Sequence, residues 1–432
     1  MKAGFSQAKV TPPIGMEMEG LGQKGGCQAV HDDLFVRASF FSHEGRQVAI
    51  LGSDLLFFER KDVDRFKGAI GREIDLAPSR ILINTSHNHA GPRLTHWHYS
   101  GGGDPAYVDQ VESAIVTACR EARARLTEVT IHAGTTRTRV PVSRRKPGPG
   151  GKAQWLPNPE GTVCDALPFC LFKDAAGRVV TLLFSVSCHP SIYHGPQITA
   201  EFPGAATRLL NERFRTEGSN FLQGTGGDTK PFTIADDPTC WRRGDFADIE
   251  AAGAEIARQI IAAAQAGLTD VRPRLAFRME DLAWPLEAPP DRAELERIAD
   301  SDKESANRRA WAKEMLSILA RSGELPRIAE VGLHAIQLGE GLRLIGLEGE
   351  AVAGLGLVIL KEFNKGVTFP LGYTDGCQLY LPTTEMLDEE GYEVASYWEY
   401  HYPSRVAPGG EAVLVAALKR MQEDGVLPNE PA

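Results

Sequence analysis

Four histidines, His87, His89, His96 and His98, fall within twelve residues of this chain, and the first two follow directly on an apolar run. Arg80-Ile-Leu-Ile-Asn84 reads as a buried strand and passes straight into Thr85-Ser86-His87-Asn88-His89-Ala90-Gly91-Pro92. In extended backbone His87 and His89 fall on one side, because side chains alternate with period two. Two imidazoles so placed can share a metal ion, or one can bind it while the other faces a substrate. Three further apolar runs also end beside a histidine or an acid: Thr181–Ser187 leads into Cys188-His189-Pro190, Phe221–Gln223 into Gly224-Thr225-Gly226-Gly227-Asp228, and Leu344–Leu347 into Glu348-Gly349-Glu350. In α/β architectures the carboxyl ends of strands are where loops converge over a rigid sheet and sites assemble. His87, His189 and Glu350 would supply the imidazole and carboxylate donors that zinc accepts, with a position left for water. No H-E-x-x-H helix is present, so spacing alone does not choose this set. It leaves Glu350 equally open to capping a helix that begins at Ala351, where a carboxylate is electrostatically favoured. His96 and His98, which flank Trp97, read as pocket wall, and His43, His132 and His334 as ordinary hydrogen-bonded histidines.

The elements that must position these groups alternate along the whole chain. β-Branched runs predict strands over Phe35–Phe41, Gln47–Leu51, Arg80–Asn84, Val129–His132, Pro168–Phe172, Val179–Val186, Asn220–Gln223, Arg274–Arg278, Val331–Leu338 and Leu342–Leu347. Amphipathic runs predict helices over Asp62–Ile74, Ala106–Leu126, Pro203–Arg213, Asp245–Ala266, Asp291–Ala320, Ala351–Phe363 and Glu411–Gln422. Asp291 with Glu294 has the side-chain types of a capping box. The expected class is a mixed α/β (α+β) fold, β-sheets layered with helices on the outer faces and the site at the strand carboxyl ends. Arg144–Lys152, with two prolines and three glycines, reads as irregular, a lid over an anionic group or a solvated turn. Leu286–Pro326 reads as a charged helical excursion, and the segment after Asp424 as a frayed tail. No internal repeat is visible, so residues 1–432 are read as one domain.

Composition narrows the function. The chain of 432 residues has 47 basic and 57 acidic side chains, a net charge of −10, which disfavours nucleic acid and anionic membrane as partners. No apolar run reaches the roughly 18 residues of a membrane span, and the first residues lack a signal-peptide core, so a cytoplasmic protein is expected. Seven scattered cysteines without a C-x-x-C pair argue against a disulfide framework or a thiolate zinc ribbon. There is no G-x-S-x-G elbow and no phosphate loop. Gly20-Leu-Gly22-Gln-Lys-Gly25 matches G-x-G-x-x-G in letters, but lacks the strand–turn–helix setting of a dinucleotide site.

The ordered set of segments resembles the neutral/alkaline ceramidase family. Ile83–Pro92 is similar to its T-H-T-H-S-G-P segment, Ser187-Cys188-His189-Pro190-Ser191 to its H-P-T segment, and Gly226-Gly227-Asp228-Thr229-Lys230-Pro231 to its G-D-x-S-P segment. Gly346–Glu350 resembles its P-G-E segment, and Tyr380-Leu381-Pro382-Thr383-Thr384-Glu385 with Glu390-Gly391-Tyr392-Glu393 its Y-V-T-T-x-E-E-Y…Y-E-G run. The opening Val10–Gly15 with His31-Asp32 is also similar, and the likeness runs from about Ala3 to Gly410. It implies one zinc ion per chain held by His87, His189, Glu350 and Tyr380, with His89, Arg144 and Tyr392 meeting the scissile amide, and Gly227, Asp228 and Lys230 lining the substrate site. Lys230 stands where the family has a serine, which tells against a serine-assisted step and puts a cation near the site. The family's signal segment and C-terminal immunoglobulin-like domain find no counterpart, which implies a short cytoplasmic bacterial-type form. The expected activity is therefore zinc-dependent hydrolysis of a carbon–nitrogen amide bond. A small soluble, carboxylate-bearing amide or lactam is favoured over long-chain ceramide, because Arg144, Arg145 and Lys230 form a cationic neighbourhood. An ester or lactone hydrolase and a non-catalytic small-molecule binder are the alternatives, and a homo-oligomer stays open.

Overall fold

Runs such as Val48–Leu51 and Ile81–Ile83 are apolar at successive positions, so both faces of the strands they form must be covered. The computed structural model, which describes residues 1–20, 25–95, 99 and 101–432, covers them in one way three times over. Each time, three antiparallel strands are followed by a helix, a strand parallel to the third, and a second helix. The first unit has strands Lys2–Lys9, Phe35–His43 and Arg46–Ser53, helix Arg60–Ile74, strand Ile81–Thr85 and helix Pro105–Ala124. The second has Thr130–Arg137, Ala166–Lys173 and Val179–Val186, helix Glu201–Phe214, strand Ser219–Gln223 and helix Phe246–Ala266. The third has Pro273–Pro285, Ile328–Gly339 and Leu342–Leu347, helix Ala353–Glu362, strand Val367–Leu371 and helix Gly410–Glu423. The repeat that the sequence does not display is thus present in the topology.

Period-two alternation decides what each face does. Val48, Ile50 and Leu82 of the first sheet join Cys170, Phe172, Leu183 and Leu222 of the second and Ile336, Leu344 and Phe369 of the third in one central core. The intervening residues, such as Ala49, Leu51, Ile81 and Ile83, pack instead under the helices of their own unit. Sheets meet inside and helices lie outside, as the pattern predicts. Among the described residues no helix is long and apolar enough to cross a membrane.

Three segments differ from expectation. The tail after Asp424 is not frayed: Leu427 is buried in the core, and Arg343 Nη2 donates to the Pro428 carbonyl at 2.9 Å and the Glu430 carbonyl at 3.1 Å. The excursion is inserted between strands Pro273–Pro285 and Ile328–Gly339, and its single expected helix is two, Arg292–Asp300 and Ala306–Ser322. Folding back at Ser301 buries Leu295 and Ile298 against Trp311 and Met315, which one straight helix would leave in water. Asp291 caps as expected, its carboxylate 2.8 Å from the Glu294 N–H. Arg144–Pro147 is not irregular: it belongs to strand Pro141–Pro147, the middle of a three-stranded sheet between Ala153–Asn158 and Thr229–Pro231. Pro147 is its last residue, where a missing N–H matters least. The turn beyond is pinned by Lys152, its Nζ 2.7 Å from Glu390, and the strand itself by Arg145, its Nη2 3.0 Å from Glu389.

Candidate metal centre

The three parallel strands end together, and Asn84 ties them. Its side-chain amide donates to the Gln223 carbonyl at 3.3 Å and to the Gly372 carbonyl at 2.8 Å, and its oxygen accepts from the Gln223 N–H at 2.6 Å. Two residues past Thr85 the chain turns through a left-handed φ of 61° at His87, and two past Leu371 through 50° at Tyr373. Such values in non-glycine residues persist only where the surroundings hold them, commonly at functional sites. The two rings stack at 4.3 Å.

Into this junction each unit sends one donor. His87 comes from the first, while His189 and Glu350 each lie three residues past an antiparallel strand, Val179–Val186 and Leu342–Leu347. Glu350 Oε2 is 3.3 Å from His87 Nε2 and 3.3 Å from His189 Nε2, and all three side chains are buried. Leu56, three residues past Arg46–Ser53 in the first unit, faces His87 Nδ1 with its carbonyl at 3.3 Å. His189 Nδ1 faces the Gly226 carbonyl at 2.7 Å. Carbonyls at both Nδ1 atoms place the protons there and turn the Nε2 lone pairs inward, a recurrent arrangement around metal-ligating imidazoles. His87 Nε2 is buried with no hydrogen-bond partner among the described residues. Donors about 2.0–2.1 Å from a tetrahedral zinc ion lie about 3.3 Å apart, so the spacing fits that ion. His89 forms a second overlapping triad: one donor atom each of His87, His89 and His189 lie within 4.8 Å of one another.

Electrostatics agree with an ionised Glu350 and with uncharged His189 and His89. Burial works against the charged form of Glu350, but the adjacent His87 and His189 outweigh it and hold its pKa well below the ordinary range. Burial, then Arg144, lowers His189 to about 4, and burial with the neighbouring histidines lowers His89 well below its usual value. Two phenols hold the carboxylate. Tyr373 donates to Glu350 Oε2 at 3.2 Å and Tyr400 donates to Oε1. Burial raises both phenols well above 10, so they remain donors.

The other residues expected at the site are placed unevenly. Tyr380 pairs with Glu350 in a two-stranded parallel ladder, but its hydroxyl accepts from Arg144 Nη2 at 2.9 Å. The Arg144 fork is committed to the protein itself: Nε donates to Glu393 at 2.8 Å, Nη1 lies 3.4 Å from His189 Nε2, and the guanidinium stacks 3.9 Å from the Trp155 ring. Tyr392 stands 5.6 Å from Tyr380, ring to ring, and donates to Glu399 at 2.7 Å. Burial lifts Glu399 to about 7. Gly227 and Asp228 act on the backbone: a Cβ at Gly227 would sit 2.7 Å from the Glu350 carbonyl, and Asp228 Oδ1 accepts from the Ala353 N–H at 2.7 Å. Asp228, not Glu350, therefore caps the helix, which begins at Ala353 rather than Ala351. His96 and His98 lie outside the described residues.

Tyr373, Tyr400 and Glu393 were not legible in sequence as parts of the site. Nor was Gly20, where a Cβ would lie 2.9 Å from His89 Nδ1. The only hint was Gly20's place in a glycine-rich run. The excursion also reaches this region, since its Glu314 lines a cavity of about 460 Å³ together with Phe57, Glu399 and Tyr400.

No family model matches the chain, and no curated protein sequence matches it. Among solved structures, neutral ceramidase from Pseudomonas aeruginosa superposes with a TM-score of 0.76 over 100% of this chain and 75% of that one, at 15% identity. This chain has the neutral ceramidase fold. A ceramidase complexed with C2 gives a TM-score of 0.75 at 14% identity, over 100% of this chain and 76% of that one. The ceramidase-like fold accordingly spans all three units described above, and the buried histidine cluster at their junction could hold a metal ion.

Proposed function

We propose that this ceramidase-like chain is a zinc-dependent hydrolase of non-peptide carbon–nitrogen amide bonds, acting in the cytoplasm on a small carboxylate-bearing amide or lactam. The observation that carries the reading is the meeting of His87, His189 and Glu350, one from each unit, at donor spacings of 3.3 Å. These three would hold the ion, with Tyr380 beside them as the fourth candidate. Zinc there would supply a Lewis acid for the amide carbonyl and lower the pKa of a water. The net reaction adds water across the amide: its oxygen joins the carbonyl carbon, the C–N bond breaks, and the nitrogen leaves with a proton.

The chain's own groups serve that reaction in distinct ways. His89 has both ring nitrogens buried and without partners among the described residues, and its depressed pKa keeps it neutral, so it can take a proton from water and pass it to the departing nitrogen. Tyr392, whose single hydroxyl proton is donated to Glu399 at 2.7 Å, supplies a phenol donor for the developing oxyanion once that hydroxyl turns from Glu399. Arg144 fixes the Tyr380 hydroxyl and, through Glu393, the helix Tyr392–Ala395.

Metal analysis of the purified protein and turnover of an amide panel test this reading. About one zinc per chain is expected, with turnover abolished by a chelator and restored by zinc. Absence of zinc, or preference for long-chain ceramide over N-acyl amino acids, contradicts it. Tyr392→Phe is expected to keep its zinc and lose about 10²–10³ in kcat, the usual effect of removing one oxyanion donor. Unchanged kcat would remove Tyr392 from the chemistry.

A further inference from the structure

Three cations surround this centre, and two of them are matched. Arg144 and Arg145 share the Glu393 carboxylate, and Arg145 also reaches Glu389. Lys230 is different. It is 7% exposed, yet no acid lies within ion-pair distance among the described residues, and the face of Trp241 is 5.3 Å from its ammonium. Two acidic groups act on it: burial pushes the Cys188 thiol well above its usual value and Glu201 up to about 8, so both are largely neutral at pH 7. Arg243 adds to the positive side of the same field, and burial together with Lys230 lowers the pKa of His194, so that ring adds no charge. A buried cation without a counter-ion is costly, and an anion entering beside it offsets that cost.

Position ties Lys230 to the metal centre. It pairs with Val142 across the sheet, two residues before Arg144, whose charge acts on Lys230 and whose Nη1 lies 3.4 Å from His189 Nε2. The carbonyl of the residue before it, Thr229, accepts the His189 N–H at 3.3 Å. We propose that Lys230 is the specificity-determining residue of this site, its ammonium binding the carboxylate of a substrate whose amide bond lies at the His87–His189–Glu350 junction. This rests on the hydrolase reading above for the amide, but not for the anion. A lysine offers a compact point charge rather than a planar fork, which suits a single carboxylate at the end of a short chain. The uncharged head of a ceramide gives Lys230 no counter-ion.

The test compares pentanoate with pentanamide, measured by calorimetry on the purified protein, and N-acetylglycine with N-acetylglycinamide as substrates. The wild-type protein is expected to bind pentanoate about tenfold or more tightly than pentanamide, the size of one charge-assisted hydrogen bond. Lys230→Met should erase that preference and raise KM for N-acetylglycine by a similar factor more than KM for N-acetylglycinamide, while Lys230→Arg should retain part of it. Equal binding of pentanoate and pentanamide by the wild-type protein overturns the proposal, whether or not any variant folds. Equal pentanoate affinity in folded Lys230→Met does so as well. Retained pentanoate selectivity with no turnover of either amide leaves Lys230 as an anion site and removes only the hydrolase reading.

Discussion

Glu350→Ala is expected to lose bound zinc and to lower amide turnover by about 10³-fold or more, because several kcal/mol of transition-state stabilisation depend on the ion. The carboxylate is the only anionic member of the triad and receives two phenolic hydrogen bonds, from Tyr373 and Tyr400. Removing it leaves two imidazoles and a buried gap, and takes an acceptor from the Tyr373 and Tyr400 hydroxyls. Glu350→Gln keeps the shape and removes the charge, so it separates ligation from packing. Metal content by mass spectrometry on the purified variants is the deciding measurement. Unchanged zinc in Glu350→Ala would show that the ion sits among His87, His89 and His189 instead, whose donor atoms lie within 4.8 Å of one another. His89→Ala discriminates further: on the present reading it keeps zinc and loses rate.

The second large effect concerns stability rather than chemistry. Lys67, on the helix Arg60–Ile74 of the first unit, places its ammonium 2.7 Å from Asp375 Oδ2 in the third unit. His334 Nδ1 lies 2.6 Å from the same oxygen, and its Nε2 faces the Ser79 carbonyl at 3.1 Å. Asp375 Oδ1 accepts from the Ile83 N–H at 2.9 Å. Asp375→Ala therefore strands a buried ammonium and an unsatisfied amide, and is expected to cost about 3–5 kcal/mol, the range for breaking one partner of a buried pair. The urea midpoint is the readout. Adding Lys67→Met should recover part of the loss, since the stranded charge is then gone. A double variant no more stable than Asp375→Ala would assign the loss to packing. The pH dependence has a definite sign. Burial opposes the ionised form of Asp375, but Lys67 and His334 outweigh it and hold its pKa at about 2, below the ordinary 3.8. Its contribution is therefore fully present above about pH 4 and is lost as pH falls towards 2.

The amino-acid sequence by itself determined the elements and the ends of the strands. Alternation and apolar runs marked eight of the twelve principal strands within a few residues, missing Lys2–Lys9 and Val367–Leu371 altogether and the full lengths of Thr130–Arg137 and Pro273–Pro285. His87, His89, His189 and Glu350 stood out because each follows a buried strand beside a glycine or proline. The tertiary structure decided which of them meet. A triad in which Glu350 lies 3.3 Å from both imidazole nitrogens depends on how three sheets close around the core of Ile50, Leu183 and Leu344, and that closure leaves no period in any one segment. For the same reason the threefold unit, the phenols of Tyr373 and Tyr400 on Glu350, and the pairing of Arg144 with Glu393 were out of reach of the sequence. Local periodicity records which face of an element is apolar, whereas contacts between residues of different elements, far apart along the chain, are set by the packing of those faces against one another.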